Sequence, residues 1–73
     1  MNWDRIQGNW TQITGKAQAQ WGKLTHDDLD IIDGNRDQLV GKIQERYGIA
    51  KEEADKQLSE WQGKASDSWF TKS

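Results

Sequence analysis

The sequence predicts an all-α fold: a small four-helix domain of two packed αα-hairpins with an approximate internal two-fold repeat. Three observations carry that expectation. Stretches 8–22 and 34–48, twenty-six residues apart, are identical at seven of fifteen paired positions, and a match this dense marks an internal repeat. Apolar residues recur within each copy at steps of three and four, the period of one helix face. Each copy opens on Gly-Asn-x-x-Gln and closes on an aromatic followed by glycine, the marks of a helix start and a helix stop.

Taken in order, the elements begin before the first copy. The join Ile6-Gln7-Gly8-Asn9 recurs as Ile32-Asp33-Gly34-Asn35, so a helical turn is expected ahead of residue 8. Trp3, Ile6, Trp10, Ile13 and Ala17 also fit one unbroken helix through Gly8, but the repeat argues for a break at Gly8-Asn9. Asn9 with Gln12, and Asn35 with Gln38, have the spacing of an N-cap and its N3 partner. Trp21-Gly22 and Tyr47-Gly48 close the copies, and glycine there can take the left-handed conformation that ends a helix. Helices are therefore predicted near 9–21 and 35–47. Their inward stripes are Trp10, Ile13, Ala17 and Trp21 in the first, and Leu39, Ile43 and Tyr47 in the second, with Arg36 as a charged exception.

A second matched block follows each closing glycine. Leu24-Thr25-His26-Asp27-Asp28-Leu29-Asp30 aligns with Ile49-Ala50-Lys51-Glu52-Glu53-Ala54-Asp55, now twenty-five residues apart. The acids suit the positive end of a helix dipole, and Thr25 with Asp28 resembles a capping box. Helices near 26–33 and 51–63 follow, with Leu29 and Ile32, then Ala54, Leu58 and Trp61, facing inward. A helical domain over residues 1–64 and a tail over 65–73 are expected. Gly15 and Gly41 fall inside helices, where each costs about 1 kcal/mol against alanine. Close packing of helix backbones is the expected compensation, with a phosphate contact as the sharper alternative.

Composition bounds the function. One small core must carry the stability of a chain this short, and five tryptophans can each bury roughly 150–250 Å² of it. A mean hydropathy of −1.08 and 30% charged residues would suit a disordered chain, but so many aromatics argue for a folded one. There is no cysteine, hence no disulfide or thiolate metal site. No apolar run exceeds two residues, so neither secretion by a signal peptide nor a membrane span is expected, and a cytoplasmic monomer is. The net charge of −2, with both signs interspersed, gives little electrostatic attraction for nucleic acid or anionic lipid.

Tests for specific chemistry fail one by one. Gly15-Lys16 and Gly41-Lys42 lack the earlier glycine and following hydroxyl of a phosphate loop, since Trp10, Ala17, Arg36 and Ile43 stand at those places. The run from Asp28 to Gly34 lacks calcium ligands at Ile32 and Leu39. His26 is the lone histidine and suits a helix surface or cap better than a metal. No hydroxyl has a triad-like setting, and the acid pairs Asp27-Asp28 and Glu52-Glu53 suit solvated helix starts. No enzyme, metal or cofactor is expected. Candidate partner contacts remain in Trp69 and Phe70, which must fold back or stay exposed, and in Arg36, Lys42 and Arg46, whose basic row is interrupted by Asp37 and Glu45.

Three strings, Gly8-Asn9-Trp10-x-Gln12-x-x-Gly15-Lys16, Gln20-Trp21-Gly22-Lys23-Leu24-Thr25-x-Asp27-Asp28 and the run from Arg36 to Gly48, resemble the CsbD-like family of small bacterial stress proteins. The similarity covers about residues 3–61. Ile13, Thr14 and Ala17 depart from the family pattern, which weakens any basic face on the first long helix. The resemblance implies a compact all-helical domain and expression tied to general stress or stationary phase, and it transfers no site. The expected function is that of a non-enzymatic, hydrophilic protectant or weak interaction module, with a specific protein adaptor or a nucleic-acid-binding regulator as alternatives and the partner unknown.

Overall fold

The computed structural model describes residues 3–65 and 69. These residues form five helices and no strand: α1 (Trp3–Gly8), α2 (Trp10–Gln20), α3 (His26–Ile32), α4 (Arg36–Tyr47) and α5 (Lys51–Lys64). The count of four is corrected to five because the turn expected before residue 8 is a helix of its own, six residues long. α3 packs on α4 and α4 on α5, while α2 meets both α1 and α3.

The two Gly-Asn joins perform different tasks. At the second, Asn35 caps α4 as the sequence suggests, its side chain accepting a bond from the Gln38 amide at 3.0 Å. At the first, Asn9 interrupts the helix for a single residue, and its side chain makes no cap bond to α2. It turns back instead, with Nδ2 donating to the Arg5 carbonyl at 2.9 Å. Its amide reaches the Arg5 and Ile6 carbonyls, both at 3.2 Å. The chain thus breaks where the repeat requires and still keeps Ile6, Trp10, Ile13 and Ala17 buried along one stripe.

The other helix ends follow the sequence closely, with one exception. Thr25 and Asp28 form a reciprocal capping box at the start of α3. Gly48 ends α4 in the left-handed conformation, at φ 64°. Gly22 does not take that conformation. Trp21 has already left the helix at φ −123°, with its amide on the Ala17 carbonyl, so no left-handed residue is needed after it. The left-handed turn absent there occurs instead between α3 and α4, at Asp33 (φ 47°) and Gly34 (φ 81°).

Gly34 is the glycine with a steric reason to be one. A Cβ there would lie 3.0–3.2 Å from Cγ, Cα and the carbonyl oxygen of Gln7, on α1. The α3–α4 turn therefore nests directly against the first helix, and the Trp3 indole donates to the Gly34 carbonyl at 2.7 Å. Gly15 and Gly41 show the opposite. Both are exposed, and a Cβ at either would meet nothing within 4 Å, so the close helix packing expected at these positions is absent.

The core is made by Ile6, Trp10, Ile13, Ala17, Trp21, Leu24, Leu29, Ile32, Leu39, Val40, Ile43, Ala54, Leu58 and Trp61. Every position assigned inward is buried except Tyr47, which packs partly buried on the cluster. Tyr47 instead uses its hydroxyl, which accepts from the Lys23 amide at 3.1 Å. Trp10 donates to the Leu29 carbonyl at 2.9 Å, joining α2 to α3. Trp21 donates to Gln57 Oε1 at 3.1 Å, joining the end of α2 to α5. The indoles supply both apolar area and the polar partner that a buried N–H requires.

Gly15→Ala and Gly41→Ala are each expected to stabilise the protein by up to about 1 kcal/mol, the difference in helix propensity at an open site. Gly34→Ala is expected to destabilise it through its backbone strain and the clash with Gln7. Denaturant midpoints of the three variants check the opposite signs.

Candidate functional site

Two side-chain clusters stand apart from the aliphatic core. The first centres on Asp28, the buried charged residue of the described chain, with 3% of its surface exposed. Its place at the third position of α3 turns the carboxylate back onto the Thr25 amide at 3.0 Å. Arg46, on α4, grips it with Nε to Oδ2 and Nη2 to Oδ1, both at 3.0 Å. Lys42, one helical turn earlier, adds a second cation 3.7 Å away. A carboxylate so placed is satisfied on both oxygens, as burial of a charge demands.

The Arg46 hydrogen bonds, then the Thr25 backbone bond, hold the Asp28 carboxyl far below its ordinary 3.8. Partial desolvation opposes them and loses. The same contact raises Arg46. A smaller cluster forms on α5, where Lys51 donates to Asp55 at 2.8 Å and Arg36 approaches its other oxygen at 3.4 Å. Lys51 is the main cause of a lowered Asp55.

These contacts place the three basic residues singled out on α4. Arg36 lies on Asp55, Lys42 lies between Asp28 and Glu45 (3.7 and 3.8 Å), and Arg46 lies on Asp28. They do not converge on one bare cationic surface. Each has a carboxylate of this chain within 4 Å.

The second cluster is aromatic and centres on Trp61, 2% exposed on α5. Trp21 lies 5.2 Å from it, Trp69 5.3 Å and Trp3 6.2 Å, all tilted between 49° and 59°. Trp69 is half-buried against the core, and the Lys16 ammonium stands 5.8 Å from its ring centroid, within cation–π range. Of the two aromatics near the C-terminus, Trp69 folds back, while Phe70 lies outside the described residues. His26 sits on the surface, 3.9 Å from Asp30. Among the described residues no group of three or more His, Cys, Asp and Glu is placed to hold a metal ion. Among them, too, no helix is long and apolar enough to cross a membrane.

The sequence assigned Asp28 to a cap and missed its larger role. Its partners lie eighteen and fourteen residues away on another helix, and no local spacing announces such a pair.

The CsbD-like family model matches residues 4–56. The chain belongs to the CsbD-like family. It is 56% identical over 61 residues to the UPF0337 protein RPA4217 of Rhodopseudomonas palustris, covering 84% of this chain and 92% of that one. Against the UPF0337 protein ECA0631 of Pectobacterium atrosepticum it is 56% identical over 69 residues, covering 94% of this chain and all of the other. The UPF0337 protein YjbJ of Escherichia coli K12 is 55% identical over the same coverage. No solved structure matches the chain.

Asp28 is thus the structural anion of this CsbD-like domain. Because its folded pKa is depressed, its contribution to stability is complete above the ordinary 3.8 and is lost as pH falls toward the depressed value. Asp28→Asn is expected to melt at a lower temperature than the parent near neutrality, with the gap narrowing as pH falls below 3.8. Thermal melts of both proteins across that range check this, and a gap independent of pH would mean that the charge is not what holds the two helices.

Proposed function

We propose that this CsbD-like protein is a non-enzymatic bacterial stress-response protein that acts in the cytoplasm as an abundant hydrophilic protectant or weak interaction module. The observation that carries this reading is how completely the fold uses its own adhesive groups. Four of the tryptophans pack on one another, the α4 cations rest on carboxylates of the same chain, and among the described residues Ile31 is the exposed large apolar residue. Such a surface solvates well at high concentration and offers little for self-association. Membership of a family of small bacterial proteins, and the tie to general stress that the resemblance implies, point the same way.

Trp69, Arg36, Lys42 and Arg46 are the described residues that an adaptor or a nucleic-acid-binding regulator would use. Their engagement inside the fold favours the protectant reading over both alternatives. The finer architecture belongs to the same proposal. α2 meets α3 through Trp10 and Leu29, and α4 meets α5 through Arg36 and Asp55. These contacts, made from the first residue of each long helix, support two αα-hairpins related by approximate two-fold symmetry within a domain over 1–64.

A labile enzyme dried or heated with this protein is expected to retain more activity than with an equal mass of an inert globular protein. Equal protection by the two would overturn the proposal.

A further inference from the structure

We infer that Trp69 is a latch for the first helix, which it holds closed through the shared ring of Trp61. α1 has six residues, too few to be helical by itself in water, so its docking contacts decide whether it forms. Ile6 is fully buried, Trp3 donates to the Gly34 carbonyl, Gln7 lies under Gly34, and the Trp3 ring leans on Trp61.

Trp61 is thus a partner that α1 shares with residue 69. Trp21, on one side of it, is 1% exposed and tied to Gln57. Trp3 and Trp69 are both half-buried, and both depend on the position of the Trp61 ring. Lys16 of α2 stands over the Trp69 ring, so residue 69 closes against α2 and α5 together. Release of Trp69 leaves Trp61 free to turn and deprives Trp3 of a fixed surface. α1 then opens as a unit, while α3, α4 and α5 stay joined by Asp28–Arg46 and Arg36–Asp55. The opening uncovers Trp61 and Ile6, an apolar surface that the closed state hides. Partial openings of this kind are the usual low-energy excursions of a small domain.

Hydrogen exchange on the full chain tests the latch. Two protons report on α1 directly: the Asn9 amide, bonded to the Arg5 and Ile6 carbonyls, and the Trp3 indole N–H, bonded to Gly34. In Trp69→Ala both are expected to exchange about three- to tenfold faster, the equivalent of one aromatic pair, with the amides of α4 unchanged. Coupling is reciprocal, so Trp3→Ala is expected to move the Trp69 indole resonance toward its solvent-exposed value. Unchanged exchange at Asn9 and Trp3, or an equal rise across all five helices, would overturn the inference. Should Trp69→Ala fail to fold, Trp69→Phe, which keeps a smaller ring on Trp61, decides the matter by whether acceleration is selective for α1.

Discussion

The bidentate contact between Asp28 and Arg46 is the interaction on which the arrangement of helices depends. α3 is only seven residues long and could not persist alone. One carboxylate both closes its capping box and fastens it to α4. With α3 fixed in this way, Leu29 and Ile32 enter the core, and the Leu29 carbonyl is presented to the Trp10 indole. The turn that follows then lies where Gly34 can receive α1. A polar contact specifies the placement of apolar groups that supply most of the stabilisation.

Near-identical letters in the two copies carry different physical duties. Gly8 is helical with open space around it, whereas Gly34 is left-handed and pressed against Gln7. Asn9 bonds backward to the helix it leaves, and Asn35 bonds forward to the helix it starts. A repeat therefore preserves the positions of helix ends more faithfully than the interactions that make them. Tertiary neighbours differ between the copies, because the turn before the second packs against α1, whereas nothing presses on Gly8 before the first.

This difference explains what was legible in the sequence. Helix period, the Thr25–Asp28 box, the Asn35 cap and the Gly48 terminus are local, and each could be read from spacing alone. The inward residues followed from the same period. The purpose of Gly15 and Gly41 could not be read, since a mid-helix glycine looks alike whether a neighbour presses on it or water does. The Asp28–Arg46 pair and the gathering of three tryptophans at Trp61 were equally hidden, being contacts between helices whose mutual rotation no single-helix pattern fixes. The candidate contact residues were visible as residue types, while their engagement by Asp28, Asp55, Glu45 and Trp61 was not.

The meeting of Trp3 and Trp69 on Trp61 also gives the polypeptide the topology of a ring closed without a covalent bond. Residues 66 positions apart in sequence share one aromatic neighbour, so nearly the whole described chain lies within a single loop. The entropy of closing a loop grows only with the logarithm of its length, and a pair of ring contacts can bear that cost once the intervening helices are in place. New ends cut into the exposed turn between α4 and α5, with the old ones joined by a flexible segment, would leave every contact at Trp61 intact.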